Sequence, residues 1–327
     1  MKFNEVLSAM GSADLNVAGD ALHQYAQGLQ LPLRKGIMDC NNLLGIYEEM
    51  DVSNIQCLQL PVDMLQPGTE GQYSAYVVPN CGYIPQNTVQ GDYITVPTYF
   101  IANSIDWCVK YARDANYMVQ DRATKIFRDG FVAKMNADGW HTILAAGLDR
   151  NIVVYDNAAP AGYLTKRLIS LAQLVMSRNG GGNAQCPTRP RLTDVVMSPE
   201  AMEDIRNWNV DQIDEITRRE IHVGGDGERV LARLFGVNLH VLHELGQNAP
   251  YQLYYNNVLG GTLPAGDVEL LVGLDLSESD SFVMPVKQQL VVYDDPTLLR
   301  QMKVGVFGWM ELGFLVADGR RVLLMSI

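Results

Sequence analysis

From Asn103 to Ala146 the chain contains no proline, and apolar residues recur at helical spacing: Ile105, Cys108, Val109, Ala112, Ala115, Val119, Ala123, Ile126, Phe127, Phe131 and Met135. This period predicts one long amphipathic helix. Asn103 stands where a cap belongs, and Asp106 occupies the capping-box position, where a carboxylate can reach back to a free amide. Opposite charges fall four apart at Lys110/Asp114, Asp121/Lys125, Lys125/Asp129 and Lys134/Asp138. Such pairs add tenths of a kcal/mol each and favour a straight rod. Gly130 is the weak point, at about 1 kcal/mol against alanine. A helix of this length spans about 60 Å, little less than the width of a compact domain of this size. Either it bends near Gly130 or the subunit is elongated. The flanking sequence favours an elongated subunit.

Before the helix, residues 1–50 cannot hold a core of their own. A short amphipathic helix is expected over Asp20–Leu29, interrupted by Pro32, and a second over Asn41–Met50. Both read as parts of an arm lying on something else. The following stretch is acidic. No lysine or arginine occurs between Gly36 and Val109, whereas Asp39, Glu48, Glu49, Asp51, Asp63, Glu70, Asp92 and Asp106 all fall there. Alternating pieces such as Ile55-Gln56-Cys57 and Tyr73-Ser74-Ala75-Tyr76-Val77 suggest strands. Gln66-Pro67-Gly68, Pro79-Asn80-Cys81-Gly82 and Gln90-Gly91-Asp92 punctuate them as turns. The stretch is too polar and broken for a central sheet, so an extended β-hairpin arm is expected. An arm of this kind exposes unpaired strand edges unless another chain covers them.

After the helix, strands and helices alternate. Asn151–Tyr155 reads as a strand, Leu164–Arg178 as an amphipathic helix and Asn179–Asn183 as a loop. Thr193–Met197 is a strand that runs into Ser198-Pro199-Glu200. Serine at the cap, proline at the first helical position and a carboxylate next form a strong helix start; that helix should end near Trp208. Val237–Leu245 and Val268–Leu276 are further strands, and Pro296–Met302 is a short helix or turn. Val304–Val316 and Arg321–Ile327, joined at Asp318-Gly319, read as a terminal β-hairpin. The whole is a mixed α+β chain.

Composition excludes several classes of function. The 327 residues are 47% apolar and carry a net charge of −12, the opposite of the basic stripe that grips nucleic acid. There is no run of about 18 apolar residues to span a membrane, and the N-terminus does not read as a signal peptide. The five cysteines (Cys40, Cys57, Cys81, Cys108, Cys186) are scattered without a Cys-x-x-Cys pair, as expected of reduced thiols in a cytosolic setting. Gly180–Gly182 lacks the Lys-Ser/Thr of a phosphate loop. Gly224–Glu228 lacks the alternating oxygen ligands of a calcium loop. His240 and His243 with Glu244 match no zinc motif, and imidazoles three apart on a strand face opposite sides. Asp275 and Asp280 read as solvated loop acids. No catalytic, cofactor-binding or metal-binding residue is expected.

In order, the chain offers a short arm, an acidic β-arm, a long helix, an α/β layer and a final pair of strands. It resembles the major capsid proteins of tailed bacteriophages, with the HK97-type fold. The resemblance rests on Thr193-Asp194-Val195-Val196-Met197-Ser198-Pro199-Glu200, Leu234-Phe235-Gly236-Val237 and Leu270-Leu271-Val272-Gly273-Leu274-Asp275. Glu311-Leu312-Gly313-Phe314-Leu315-Val316 with Arg320-Arg321-Val322 adds to it. It implies a map: residues 1–50 the N-terminal arm, 51–100 the E-loop, 101–150 with 285–327 the peripheral domain and its spine helix, and 151–284 the axial domain.

The implied function is self-assembly as hexamers and pentamers into an icosahedral shell around packaged double-stranded DNA, without enzyme activity. The implied location is the virion capsid, assembled in the host cytoplasm. The implied partners are further copies of the chain, with portal, scaffolding or decoration proteins; no membrane is involved. About fifty residues precede the E-loop, too few for a long fused scaffold. An acidic subunit suits a container that must not hold its DNA tightly, since phosphate contacts are charge-driven. Some relatives cross-link an E-loop lysine to a neighbouring asparagine; this E-loop has no lysine. Its acids Asp63, Glu70 and Asp92 are instead expected to meet basic residues of an adjacent subunit's long helix: Lys110, Arg113, Arg122, Lys125, Arg128 and Lys134. Solvation on both sides is the competing reading of these charges.

Three alternatives differ in kind. An encapsulin-like compartment would share the fold and enclose other cargo. A mixed α/β enzyme would have to work through His240 or His243. A ligand-binding module would be a discrete monomer.

Overall fold

The computed structural model describes residues 15–40, 43, 45–53, 58–62, 78, 92–113, 117–179, 190–208, 232–264, 266–277 and 281–327. In chain order its elements begin with α1 (Leu15–Cys40), β1 (Glu48–Asp51), β2 (Leu58–Val62), β3 (Asp92–Val96) and β4 (Tyr99–Cys108). Next come α2 (Val109–Arg113), α3 (Tyr117–Asp149), β5 (Val153–Val154), α4 (Lys166–Asn179), β6 (Asp194–Met197) and α5 (Pro199–Asn207). Then follow β7 (Ala232–Leu234), β8 (Val237–Val241), α6 (Pro250–Leu253), a π-helical turn (Tyr254–Val258) and β9 (Leu270–Leu274). The chain closes with β10 (Phe282–Asp294), a 3-10 turn (Pro296–Gln301), β11 (Lys303–Leu312), β12 (Leu315–Val316), a second 3-10 turn (Gly319–Arg321) and β13 (Val322–Ser326). The chain divides into two compact units. One holds residues 1–59, 95–139 and 283–315, the other 60–94, 140–282 and 316–327.

The first unit is built on a sheet ordered β1-β10-β11-β4, with β12 also pairing β10. The long helix starts later than its periodicity suggested. Asn103 and Asp106 lie on β4, paired antiparallel with β11 from Lys303↔Cys108 to Leu312↔Tyr99. They cap nothing. Tyr99, Phe100, Ile101, Ile105 and Trp107 are strand-favouring residues, and the alternate residues Ile101 and Trp107 are buried. Over so short a run, helical and strand periods both fit. Asp106 instead meets Lys303 at 2.6 Å, and Asn103 donates through Nδ2 to the Phe127 carbonyl at 3.1 Å.

The helix α3 runs for 33 residues without a break at Gly130, a rod of about 50 Å. Glycine has a packing reason here. A Cβ at position 130 would lie 2.7 Å from Asn103 Nδ2, so the strand-to-helix stitch requires the bare backbone. Ala123, Phe127, Phe131 and Met135 form the buried face of this part of α3, with Phe127 and Phe131 edge to face at 5.1 Å.

Pro32 does not end α1, which spans 26 residues with the proline inside it. A mid-helix proline costs about 3 kcal/mol. The buried stripe Leu22, Tyr25, Ala26, Leu29, Leu33 and Ile37 continues through it, at roughly 1.5–3 kcal/mol for each large side chain, and offsets that cost. Gln30 and Arg34 both donate to the Leu290 carbonyl, at 3.3 and 2.8 Å. In place of the helix expected over Asn41–Met50, the described residues 43, 45 and 46 form a turn and Glu48–Met50 lie on β1. This strand pairs parallel with β10 from Glu48↔Val283 to Asp51↔Val286. Leu43 and Tyr47 anchor it: Tyr47 donates to the Gly139 carbonyl at 2.9 Å, and Leu43 occupies the space that a Cβ at Gly139 would need.

β2 and β3 pair with each other as a two-stranded ribbon. The expected strands at Ile55–Cys57 and Tyr73–Val77, with the turns between them, lie outside the described residues.

The second unit carries a six-stranded mixed sheet ordered β5-β13-β9-β6-β8-β7. β6 and β8 are parallel, while β9 is antiparallel to both β6 and β13. Its core joins Leu168, Ile169, Ala172 and Met176 of α4 and Ala201, Met202 and Ile205 of α5 to Val195, Met197, Leu239, Leu271, Leu323 and Met325 of the sheet. Ser198 caps α5 as its sequence predicted, accepting from the Ala201 amide at 3.0 Å. The expected terminal hairpin does not form. β11 belongs to the first unit's sheet and β13 to the second's, where it pairs β9 and β5. Asp318 caps the intervening 3-10 turn and receives the Arg320 amide at 3.0 Å.

Asp275 is also not a solvated loop acid. It is fully buried, 2.8 Å from the equally enclosed Arg321, and it accepts the backbone amides of Arg191 and Ser277 at 2.9 and 3.0 Å. Asp280 lies outside the described residues.

Candidate assembly surface

On α3 the exposed positions Asp121, Arg122, Lys125, Ile126 and Asp129 recur at three- and four-residue spacing opposite the buried stripe. Arg122 and Lys125 therefore share a solvent face with Ile126, an isoleucine that is 55% exposed. Two other expected contact residues already have partners within the chain. Lys134 binds Asp138 at 2.7 Å, one of the four ion pairs read from the sequence. Arg128 binds its neighbour Asp129 at 2.8 Å. The Tyr99 hydroxyl also donates to Asp138 at 2.8 Å. Burial, this hydrogen bond and the carboxylate's charge together raise the phenol well above its ordinary range. Lys110 is exposed on α2. Asp92 begins β3, but its side chain and that of Arg113 lie outside what is described, as do Asp63, Glu70 and Lys110's expected partner Asp114.

Sequence reasoning missed a run of aromatic residues on the sheet of the first unit. Tyr293 of β10 stacks on Trp309 and Phe307 of β11, with centroids 4.8 and 5.8 Å apart. Phe100 on β4 is 64% exposed. Phe307 and Trp309 are two apart and share a sheet face, a signal that was available. The partner strand β10 was not, because Pro285 and Lys287-Gln288-Gln289 break its apolar pattern. The structure accommodates them with register shifts between Val286 and Val291.

The candidate chemical centre resolves into hydrogen bonding. His240 Nε2 lies 2.7 Å from Asp194 Oδ1, on neighbouring parallel strands, and Asn238 donates to the same oxygen at 3.1 Å. Burial alone would raise the Asp194 carboxyl. The bonds from His240, Thr193 and Asn238 outweigh it and hold the group below the usual range. His243 is exposed in the turn after β8. Among the described residues no three His, Cys, Asp or Glu side chains are grouped to hold a metal, and no helix is long and apolar enough to cross a membrane. The glycine-rich stretches Gly180–Gly182 and Gly224–Glu228 lie outside the described residues.

No family model matches the chain, and no curated protein sequence matches it. Solved structures do. A chain from a structure of Mycobacterium phage Bobi is 13% identical, with a TM-score of 0.56 over 88% of this chain and 90% of that one. A chain from the capsid of an empty GTA particle is 14% identical, with a TM-score of 0.57 and the same coverage. A chain from the head of Helicobacter pylori bacteriophage KHP40 is 9% identical, with a TM-score of 0.56 and again the same coverage. At such identities the shared property is the path of the backbone, and it extends over nearly the whole of each chain. The chain has the HK97-like α+β fold of phage capsid structures.

Proposed function

We propose that this protein is a major capsid protein, self-assembling as hexamers and pentamers into an icosahedral shell around packaged double-stranded DNA. The observation that carries the reading is the fold match to chains of a capsid and a phage head, spanning 88% of this chain. Its role is structural, without catalytic turnover. The imidazole–carboxylate pair His240–Asp194 bonds two neighbouring strands together. We assign residues 1–50 to an N-terminal arm, 51–100 to an E-loop, 101–150 with 285–327 to a peripheral domain and 151–284 to an axial domain, except that β13, which pairs β5 and β9, goes with the axial domain. Portal, scaffolding or decoration proteins complete the particle, which assembles in the host cytoplasm.

Within the shell, the acids Asp63, Glu70 and Asp92 of one copy face the cations of a neighbour's α2 and α3. Arg122 and Lys125 are the leading partners, since Arg128 and Lys134 already pair within the chain. Each exposed pair contributes about 0–1 kcal/mol. Complementary charge therefore sets register more than it supplies affinity.

Sedimentation of the purified protein over a range of concentrations, with and without scaffold supplied, tests the reading. Capsomers or closed shells are expected; a strictly monomeric species throughout would refute it.

A further inference from the structure

The hairpin between β7 and β8 closes on two residues. Leu234 pairs with Val237, leaving Phe235 and Gly236 as the loop. Both have positive φ, 53° and 81°, the pattern of a type I′ turn. Such a turn is best served by Asn-Gly, because asparagine tolerates the left-handed region and a bulky side chain does not. Here the first position is phenylalanine, and its side chain is 56% exposed. The conformation is held: Gln173 on α4 donates to the Phe235 carbonyl at 3.0 Å. The tip is also open, since a Cβ at Gly236 would meet no atom within 4 Å.

Two unfavourable choices thus coincide at one residue. The backbone is strained for phenylalanine, and a large apolar surface faces water. Less than half of the Phe235 surface is covered within this chain, so a strained backbone is kept for a side chain that is mostly open to water. We infer that Phe235 is an inter-subunit anchor, a rigidly presented aromatic side chain that inserts into an apolar surface of a second copy. The inference rests on the shell reading, in which every copy is surrounded by others and the second copy is the partner always at hand. Aromatic anchors presented on a fixed backbone suit this role, because little side-chain freedom is lost on docking.

The alternative cover is this chain's own segment 209–231, which leads directly into β7. The two occupants make opposite predictions for Phe235→Asn. Asparagine relieves the turn, so an anchor for a second copy predicts a more stable unassembled subunit, with a melting midpoint raised by about 1–2 °C. It also predicts weaker assembly, with the critical concentration for capsomers or shells rising about tenfold or more. Phe235→Trp, which keeps a large aromatic group at the tip, should assemble within about threefold of wild type. If the unassembled F235N subunit melts lower than wild type, segment 209–231 covers the residue and the inference is overturned. If F235N assembles at the wild-type critical concentration, the side chain anchors nothing and the inference fails. Wild-type protein assembled in parallel separates these results from failure of the shell reading, which would show as no assembly of either chain.

Discussion

The pair Asp275–Arg321 gives the sharpest energetic test of the second unit. Asp275→Ala removes the carboxylate 2.8 Å from Arg321, whose side chain is 3% exposed, and leaves a buried cation. Breaking a buried pair in this way typically costs about 3–5 kcal/mol. Asp318 lies 3.7 Å from the same guanidinium and offsets part of that, which points to about 3 kcal/mol. The Arg191 and Ser277 amides also lose their acceptor, at about 1–3 kcal/mol for each that water cannot reach. With one of the two amides left dry the expected total is about 4–6 kcal/mol, against about 5–15 kcal/mol for the stability of a whole domain. Urea unfolding of dissociated subunits measures it. The double variant Asp275→Ala with Arg321→Met should lose less than Asp275→Ala alone, because it leaves no buried guanidinium deprived of its nearest carboxylate. A single variant within about 1 kcal/mol of wild type, or a double variant costing the sum of the two singles, would refute the argument.

Burial and the nearby Glu200 and Asp204 raise the carboxyl of Glu269, with the Ser198 hydroxyl only partly opposing them. The folded state therefore holds this proton more tightly than the unfolded chain. Stability falls as pH rises through the folded value and is regained as pH drops toward 4.5, the ordinary glutamate value. Glu269→Gln should accordingly raise the unfolding midpoint at pH 7 and flatten its rise in mild acid, both read by thermal melts. Particles should dissolve to single chains in hot reducing detergent, because no lysine lies between Gly36 and Val109 to cross-link the arm; a ladder of covalent multimers on a gel would contradict this. Combining Asp63→Asn, Glu70→Gln and Asp92→Asn should lower assembly yield severalfold at low salt and blunt its salt dependence. Unchanged light-scattering curves across salt would mean that these acids are solvated.

How far the sequence was legible followed from how local each signal was. The capped start at Ser198-Pro199, the amphipathic α4 and the apolar strands β6 and β9 were readable because neighbouring residues decide them. The start of the long helix was not. Asn103–Cys108 fits either period, and its state is set by ten-residue pairing with β11, some two hundred positions away in the chain. Pro32 misled for a similar reason: long-range burial on both sides of it outweighs a local breaker. The Asp318-Gly319 turn was real, but the strands it joins pair with distant partners instead of each other. Of the candidate contacts, the sequence showed the charges of α3. It did not show which were already used within the chain, as Lys134 is by Asp138. It also gave no hint that Phe235 sits in a left-handed turn, since the two-residue loop is defined only by the Leu234–Val237 pairing.

Electron microscopy of the purified wild-type protein under assembly conditions, with scaffold supplied, tests the central claim most directly. Closed, symmetric particles with subunits grouped in sixes and fives are the predicted result. A field of single subunits, or only amorphous aggregates, from protein that unfolds cooperatively and is therefore folded, would contradict it.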